Sequence, residues 1–175
     1  MYELHQHEQY FFDRPTLEHL TRFLAPYPRV AVLCAPMLGR ALAGAGREVR
    51  VLDIDDRFAD VPGYRHWNIH RPEYLAEDFD VIVCDPPFFN VSLSRLFRAI
   101  RVLAQQRFDQ PLMISYLQRR GEAVMGAFSP FGLQATGYSP GYVTVRPTEK
   151  NAVAFFANLG EEAHRALCGQ EPLAG

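Results

Sequence analysis

A doubly wound α/β sheet closed by an antiparallel hairpin is the fold that the sequence predicts. Three observations carry that expectation. Short, wholly apolar runs such as "VAVLC" (30–34) and "VIVC" (81–84) recur between helical patterns, as parallel strands covered on both faces do. Two of the predicted strands end in carboxylates, "EVRVLDID" (48–55) and "VIVCD" (81–85), where these sheets hold ligands. Beyond residue 132 the pattern becomes β-rich runs broken by "SPG" and "TEKN", which predicts antiparallel pairing.

Each element has a local reason. "FDRPTLEHLTRFL" (12–24) reads as a helix with Asp13 as N-cap, Pro15 in the first turn and Leu17, Leu20 and Leu24 on one face. "VAVLC" follows as the first strand, then "PMLGRALAGAG" (36–46) as a short helix closed by Gly44 and Gly46. "EVRVLDID" is the second strand, "YRHWN" (64–68) a weaker third and "FDVIVCD" the fourth. From Ser92, Leu93, Leu96, Phe97, Ile100 and Leu103 form one stripe of an amphipathic helix. "PLMISYL" (111–117) is the fifth strand, and "RRGEAVMGAF" (119–128) a helix weakened by Gly121 and Gly126. "LQATGY" (133–138), "YVTVRP" (142–147) and "AVAFFANL" (152–159) complete the sheet, and residues past Gly160 are expected to add little.

A chain of 175 residues suits a single domain, 1–175, with its core over about 8–160. Apolar residues make up 48% and charged residues 22%, and no run approaches the roughly 18 apolar residues of a membrane span. The polar start "MYELHQHEQY" has no signal-peptide pattern, and Cys34, Cys84 and Cys168 are odd in number without a CxxC pair. A reducing cytoplasm, no disulfides and no zinc knuckle are the expectation. The histidines lack metal-ligand spacing, so no metal is expected. A net charge of −2 argues against coating nucleic acid by charge alone. Residues 91–120 nevertheless carry Arg95, Arg98, Arg101, Arg107, Arg119 and Arg120 against Asp109, either a solvated surface or a local basic face for phosphates.

The most informative stretch is Asp85-Pro86-Pro87-Phe88, where a buried strand runs into an acid, two prolines and a ring. An amine conjugated to an aromatic ring is a poor nucleophile, so a site that methylates it must stabilise positive charge on nitrogen. Asp85 and the Pro86 carbonyl can each accept an amine hydrogen, and such pre-placed acceptors are electrostatic catalysis. The prolines hold the backbone and bring no competing N–H. Phe88 can stack on a planar base presented unpaired or extruded. The plainer alternative is a proline-broken turn in which Asp85 caps the next helix, a role open also to Asn90 and Ser92.

The segments "QYFFD" (9–13), "VLCAPML" (32–38), "LDIDDRF" (52–58), "HWN" (66–68) and "CDPPFF" (84–89), in that order, resemble the adenine-N6 methyltransferase family of the Asp-Pro-Pro-Phe type. That family has a ribosomal-RNA adenine branch and a branch methylating a lysine of elongation factor 1A. "DIDDRF", the Phe of "DPPF" and the closing "AVAFFANL" are similar to the first. The resemblance implies a Rossmann-like class I methyltransferase with a mostly parallel seven-stranded sheet, S-adenosylmethionine as methyl donor, and adenine N6 in nucleic acid, RNA before DNA, as acceptor. Nothing matches that branch's zinc-binding modules, so any RNA-gripping part is either missing or supplied by another chain as an accessory partner for substrate binding.

Candidate cofactor residues follow. The loop after the first strand, Cys34-Ala35-Pro36, contains a single nearby glycine, Gly39, where such folds commonly have several. Asp53 and Asp55 share one face by strand alternation, and either carboxylate suits ribose hydroxyls, the resemblance favouring Asp55. Asn68 suits the cofactor's adenine, with Ile69 or Trp67 packed on it and Trp67 better read as core. The resemblance has Gln9, Tyr10 and Phe11 closing over the cofactor; by pattern alone, the aromatics before a capped helix equally form a hydrophobic staple. Two other readings stay open. A protein lysine methyltransferase would use the same corner for an amine that first loses its proton, and a non-catalytic binding scaffold would suit the glycine-poor loop.

Overall fold

The computed structural model describes residues 1–170. Strands β1 (Val30–Leu33), β2 (Val49–Asp53), β3 (Tyr64–His66), β4 (Val81–Cys84), β5 (Leu112–Leu117), β6 (Gln134–Ala135) and β7 (Val153–Ala157) form a seven-stranded sheet in the order β3-β2-β1-β4-β5-β7-β6. The first five are parallel, whereas β7 runs antiparallel to both β5 and β6. The order reverses between β1 and β4, and a crevice at the carboxyl ends of the strands follows from that reversal.

Alternation along the buried strands feeds two cores. Val30 and Val32 of β1 join the core built with α1 (Arg14–Phe23), α2 (Pro36–Gly44) and α5 (Glu161–Leu167), through Leu20, Leu42 and Leu167. Ala31 and Leu33 join the opposite core, built with α3 (Leu93–Leu103) and α4 (Gly121–Ala127) through Leu96, Ile100 and Val124. Asp13 caps α1 as expected, accepting from the Thr16 N–H at 3.0 Å, and of Asp85, Asn90 and Ser92 it is Ser92 that caps α3, accepting from the Arg95 N–H at 3.3 Å. Gly39 is where α2 lies against β2: a Cβ there would fall 2.4 Å from a Val51 methyl.

Four expectations are corrected. "YVTVRP" is no strand; bounded by Gly141 and Pro147, it makes an isolated bridge from Tyr142 to Phe12 and a bond from the Val143 N–H to the Phe11 carbonyl at 2.9 Å. It is therefore bound to the N-terminal segment instead of the sheet. The third strand stops at His66, and "LQATGY" contributes two strand residues. Residues past Gly160 do not merely trail: α5 buries Leu167 completely, and its carbonyl accepts from His19 Nε2 at 2.7 Å. Among the described residues, no helix is long and apolar enough to cross a membrane, no cluster of three or more His, Cys, Asp or Glu could hold a metal ion, and the three cysteines are free.

Candidate active site

A cleft of about 740 Å³ opens at the carboxyl ends of β1 to β4. Cys34 follows β1, Asp53 and Asp55 end β2, Asn68 follows β3, and Asp85 to Phe89 follow β4; all line it, with Gln9, Tyr10 and Tyr142 completing the wall. Residues from positions 34 to 89 thus meet because parallel strands deliver their ends to one edge, while Gln9, Tyr10 and Tyr142 reach it from the N-terminal segment and the loop before β7.

Asp85 carries on from β4, its N–H bonded to the Leu33 carbonyl at 3.0 Å. It is 9% exposed, and its Oδ1 accepts from Ser115 Oγ and, at 2.7 Å, from Tyr142 Oη. Burial pushes its pKa up to about 7 against the pull of these two donors. Pro86 and Pro87 fix the backbone beyond it. Phe88 sets its ring edge-on to Tyr116, centroids 5.1 Å apart, and Tyr116 Oη donates to the Phe88 carbonyl at 3.2 Å. Phe89 is 72% exposed at the cleft.

The acids after β2 have distinct situations. Asp53 is buried; burial raises its pKa to about 6, although the Asp55 N–H donates to it at 2.9 Å. The strand ends at Asp53, so Asp55 is the N-cap of a 3-10 turn, Asp56–Phe58, and accepts the Arg57 N–H. Burial opposes ionisation of Asp55, but Arg57 Nη2 at 2.7 Å and Gln9 Nε2 at 2.8 Å hold its pKa below the ordinary carboxylate range. Asp55 thus caps this turn and lines the cleft as well. Asn68 Oδ1 accepts the His70 N–H at 2.8 Å, while Trp67 is buried in the core with its indole donating to the Glu73 carbonyl at 3.1 Å.

Cys34 has φ of 59°, the left-handed region that a glycine ordinarily takes in such loops. Three expected cofactor residues lie behind the wall. Phe11 packs edge-on against Phe58 in the core, and Ala35 and Pro36 are buried at the start of α2. Tyr10 faces the cleft, whereas the next two residues, Phe11 and Phe12, both turn into the core.

Sequence reading missed Ser115, Tyr142, Glu8 and Ile54. Ser115 had a signal, a lone hydroxyl in the apolar run "PLMISYL". Tyr142 had none, since its reach depends on a latch: Gly141 donates to Thr16 Oγ1 at 2.8 Å and accepts the Asp13 N–H at 2.9 Å. Glu8 accepts from the Phe89 and Asn90 N–H groups at 3.0 and 3.2 Å, fastening the N-terminal segment to the corner. Ile54 is 49% exposed between the two acids.

Sheet order, strand-end acids and cleft define a Rossmann-like class I methyltransferase fold, and similar solved structures agree. Magnesium protoporphyrin IX methyltransferase (ChlM) from Synechocystis PCC 6803, with bound SAM, has TM-score 0.57 at 14% identity, over 82% of this chain and 78% of that one. N-methyltransferase NodS from Bradyrhizobium japonicum WM9 has TM-score 0.53 at 17% identity, over 83% of this chain and 98% of that one. A TehB-like SAM-dependent methyltransferase from Corynebacterium glutamicum has TM-score 0.52 at 18% identity, over 81% and 85%. At these identities the likeness is one of fold. No curated protein matches the sequence. The family described as "Probable N6-adenine methyltransferase" matches residues 3–159, and the chain belongs to it.

Proposed function

We propose that this methyltransferase uses S-adenosylmethionine to methylate the exocyclic N6 amine of an adenine in nucleic acid, RNA in preference to DNA. The observation that carries the reading is Asp85, a buried carboxylate beside a proline-fixed carbonyl, in one cleft with Asp53, Asp55 and Asn68. The preference for RNA rests on the likeness of "DIDDRF" and "AVAFFANL" to the ribosomal-RNA branch. A cytoplasmic location, and an accessory partner that grips the substrate, belong to the same proposal.

The residues present fit the donor. Asp53 and Asp55 offer carboxylate oxygens for the ribose hydroxyls, exposed Ile54 offers an apolar face to a purine, and Asn68 keeps its amide donors while Oδ1 is engaged by His70. The turn at Cys34 and the Gln9-Tyr10 segment border the same space. When bound, S-adenosylmethionine supplies a methyl group on a cationic sulfur, so the chain needs no nucleophile of its own. What its residues do is hold two partners in line, where positioning supplies much of the acceleration.

Asp85 Oδ1 is engaged by Ser115 and Tyr142, which leaves Oδ2 for one amine hydrogen and the Pro86 carbonyl for the other. Charge developing on nitrogen then meets a carboxylate whose orientation is fixed before reaction. A pKa of about 7 also suits Asp85 to receive the proton released by the methylated amine.

The test is incubation with donor carrying a labelled methyl group, followed by separation of total RNA, DNA and protein. Label in adenine of RNA is expected. Label in protein would favour the lysine reading, and absence of both labelling and calorimetric donor binding would favour a non-catalytic scaffold.

A further inference from the structure

We infer that a single-stranded polynucleotide crosses the mouth of the cleft on a basic shelf formed by Arg95, Arg119, Arg120 and Lys150, with Phe89 as the stacking platform for a base beside the target. This inference rests on the nucleic-acid reading above and says where the strand lies.

Topology brings the four cations to one edge. Arg95 is in the first turn of α3, which follows β4; Arg119 and Arg120 follow β5 at its carboxyl end; Lys150 precedes β7, which runs antiparallel to β5. Contacts tie them to the cleft and to one another. Arg95 Nη1 lies 3.0 Å from Nδ1 of His70, a cleft residue, and Arg119 Nε donates to the Lys150 carbonyl at 2.9 Å. Arg120 is near enough for its charge to act on the Tyr116 hydroxyl, which is itself bonded to the Phe88 carbonyl.

Charge distribution points to the occupant. All four cations are exposed, and none has a carboxylate within 4.0 Å among the described residues. Several arginines elsewhere are matched, Arg50 with Glu77, Arg65 with Glu73 and Arg107 with Asp78, whereas the exposed Arg22, Arg71, Arg98 and Arg146 stand apart without a carboxylate partner among the described residues. The cleft's Asp53, Asp55 and Asp56 stand across from the shelf, on the β2 side. On the shelf's own edge are Glu8, Glu122 and Glu149, of which Glu8 is committed to the Phe89 and Asn90 amides. Exposed, unpaired arginines present forked donors that fit phosphate oxygens.

Phe89 selects the form of the polyanion. A ring 72% exposed at a cleft mouth is what a sequence-tolerant base-stacking contact uses. Adenine N6 lies on the Watson–Crick edge, so the base must be unpaired when it reaches Asp85.

The experiment measures anisotropy of labelled, adenine-containing strands of about a dozen nucleotides, a length in the range of single-strand sites. Single-stranded RNA, single-stranded DNA and duplex RNA are compared at increasing salt, with donor affinity measured by calorimetry as the check on folding. Single strands should bind more tightly than duplex, and the RNA and DNA arms separate the two sources of the shared phosphate-and-base chemistry. Arg119→Glu with Arg120→Glu should weaken binding about tenfold or more and flatten its salt dependence. Phe89→Ala should weaken it about tenfold with the salt dependence unchanged. Donor affinity should stay at the wild-type value in both. Wild-type strand affinity in the arginine variant, while wild type still methylates RNA, would overturn the shelf and leave the catalytic reading standing. Methylation of protein alone, with no strand bound at micromolar concentration, would overturn both.

Discussion

The hydroxyl of Tyr142 donates to Asp85 Oδ1 at 2.7 Å across a separation of 57 residues. Neither β4 nor the loop carrying Tyr142 produces this contact alone. It forms because Gly141 fits against the Asp13 cap of α1 so closely that a Cβ would fall 2.0 Å from the Asp13 carboxylate. The start of the first helix and the buried carboxylate at the cleft are therefore mechanically connected.

Removing that donor should raise the pKa of Asp85 further, since burial already lifts it to about 7 and the Tyr142 bond opposes the rise. Tyr142→Phe keeps the ring and loses one hydrogen bond, worth about 1 kcal/mol, so the acidic limb of the pH–rate profile should move up by up to about one pH unit. Activity at neutral pH should fall several-fold and recover in alkaline buffer, with donor affinity unchanged. An unmoved limb would mean that Asp85 ionisation does not govern the rate.

Asp85 should also make the fold less stable as pH rises. Its folded pKa of about 7 exceeds the ordinary 3.8, so the folded state binds the extra proton, and this contribution to stability is present at low pH and lost between about 4 and 7. Asp85→Asn should therefore resist urea better than wild type at pH 8, by at most about 4 kcal/mol, with the difference shrinking toward pH 4. Methyl transfer should be abolished in the same variant while donor binding survives. Equal urea midpoints at pH 8 would count against the buried charge.

Gly39→Ala would place a methyl 2.4 Å from a buried Val51 methyl and push α2 off β2. Overpacking of this kind costs about 1 to 3 kcal/mol, which equilibrium unfolding would register. Because α2 follows the Cys34 loop, donor affinity should weaken as well, and a variant with unchanged stability and affinity would contradict the packing.

Glu8→Ala should release the N-terminal segment from the Asp85 corner, since Glu8 accepts from the backbone of Phe89 and Asn90. Each such bond is worth about 1 kcal/mol, so amide exchange at these two positions should accelerate about fivefold or more, while amides of β4 keep wild-type rates. Unchanged exchange at both would show that the corner holds itself.

Legibility differed by the range of the interactions involved. The caps Asp13 and Ser92, the stripe of α3 and the buried strands were readable because each depends on neighbours within a turn or two. The corner at Asp85 was readable as a local composition: an apolar strand, an acid, two prolines and a ring. Misreadings fell where alternation or pairing had to be settled by distant chain. "YVTVRP" has β propensity and found its partner in the N-terminal segment, and Phe11, expected at the cofactor, packs behind the cleft wall against Phe58.

The sequence by itself determined the α/β class, the parallel strands and the acids at their ends, because apolar periodicity and strand termini are encoded in consecutive residues. Only the tertiary structure decided that Ser115 and Tyr142 attend Asp85, that Glu8 clasps its loop, and that Arg57 and Gln9 share Asp55. The reason is physical. Each of these contacts exists between elements that the sheet order brings together, and a lone side chain carries no mark of the partner that packing will hand it.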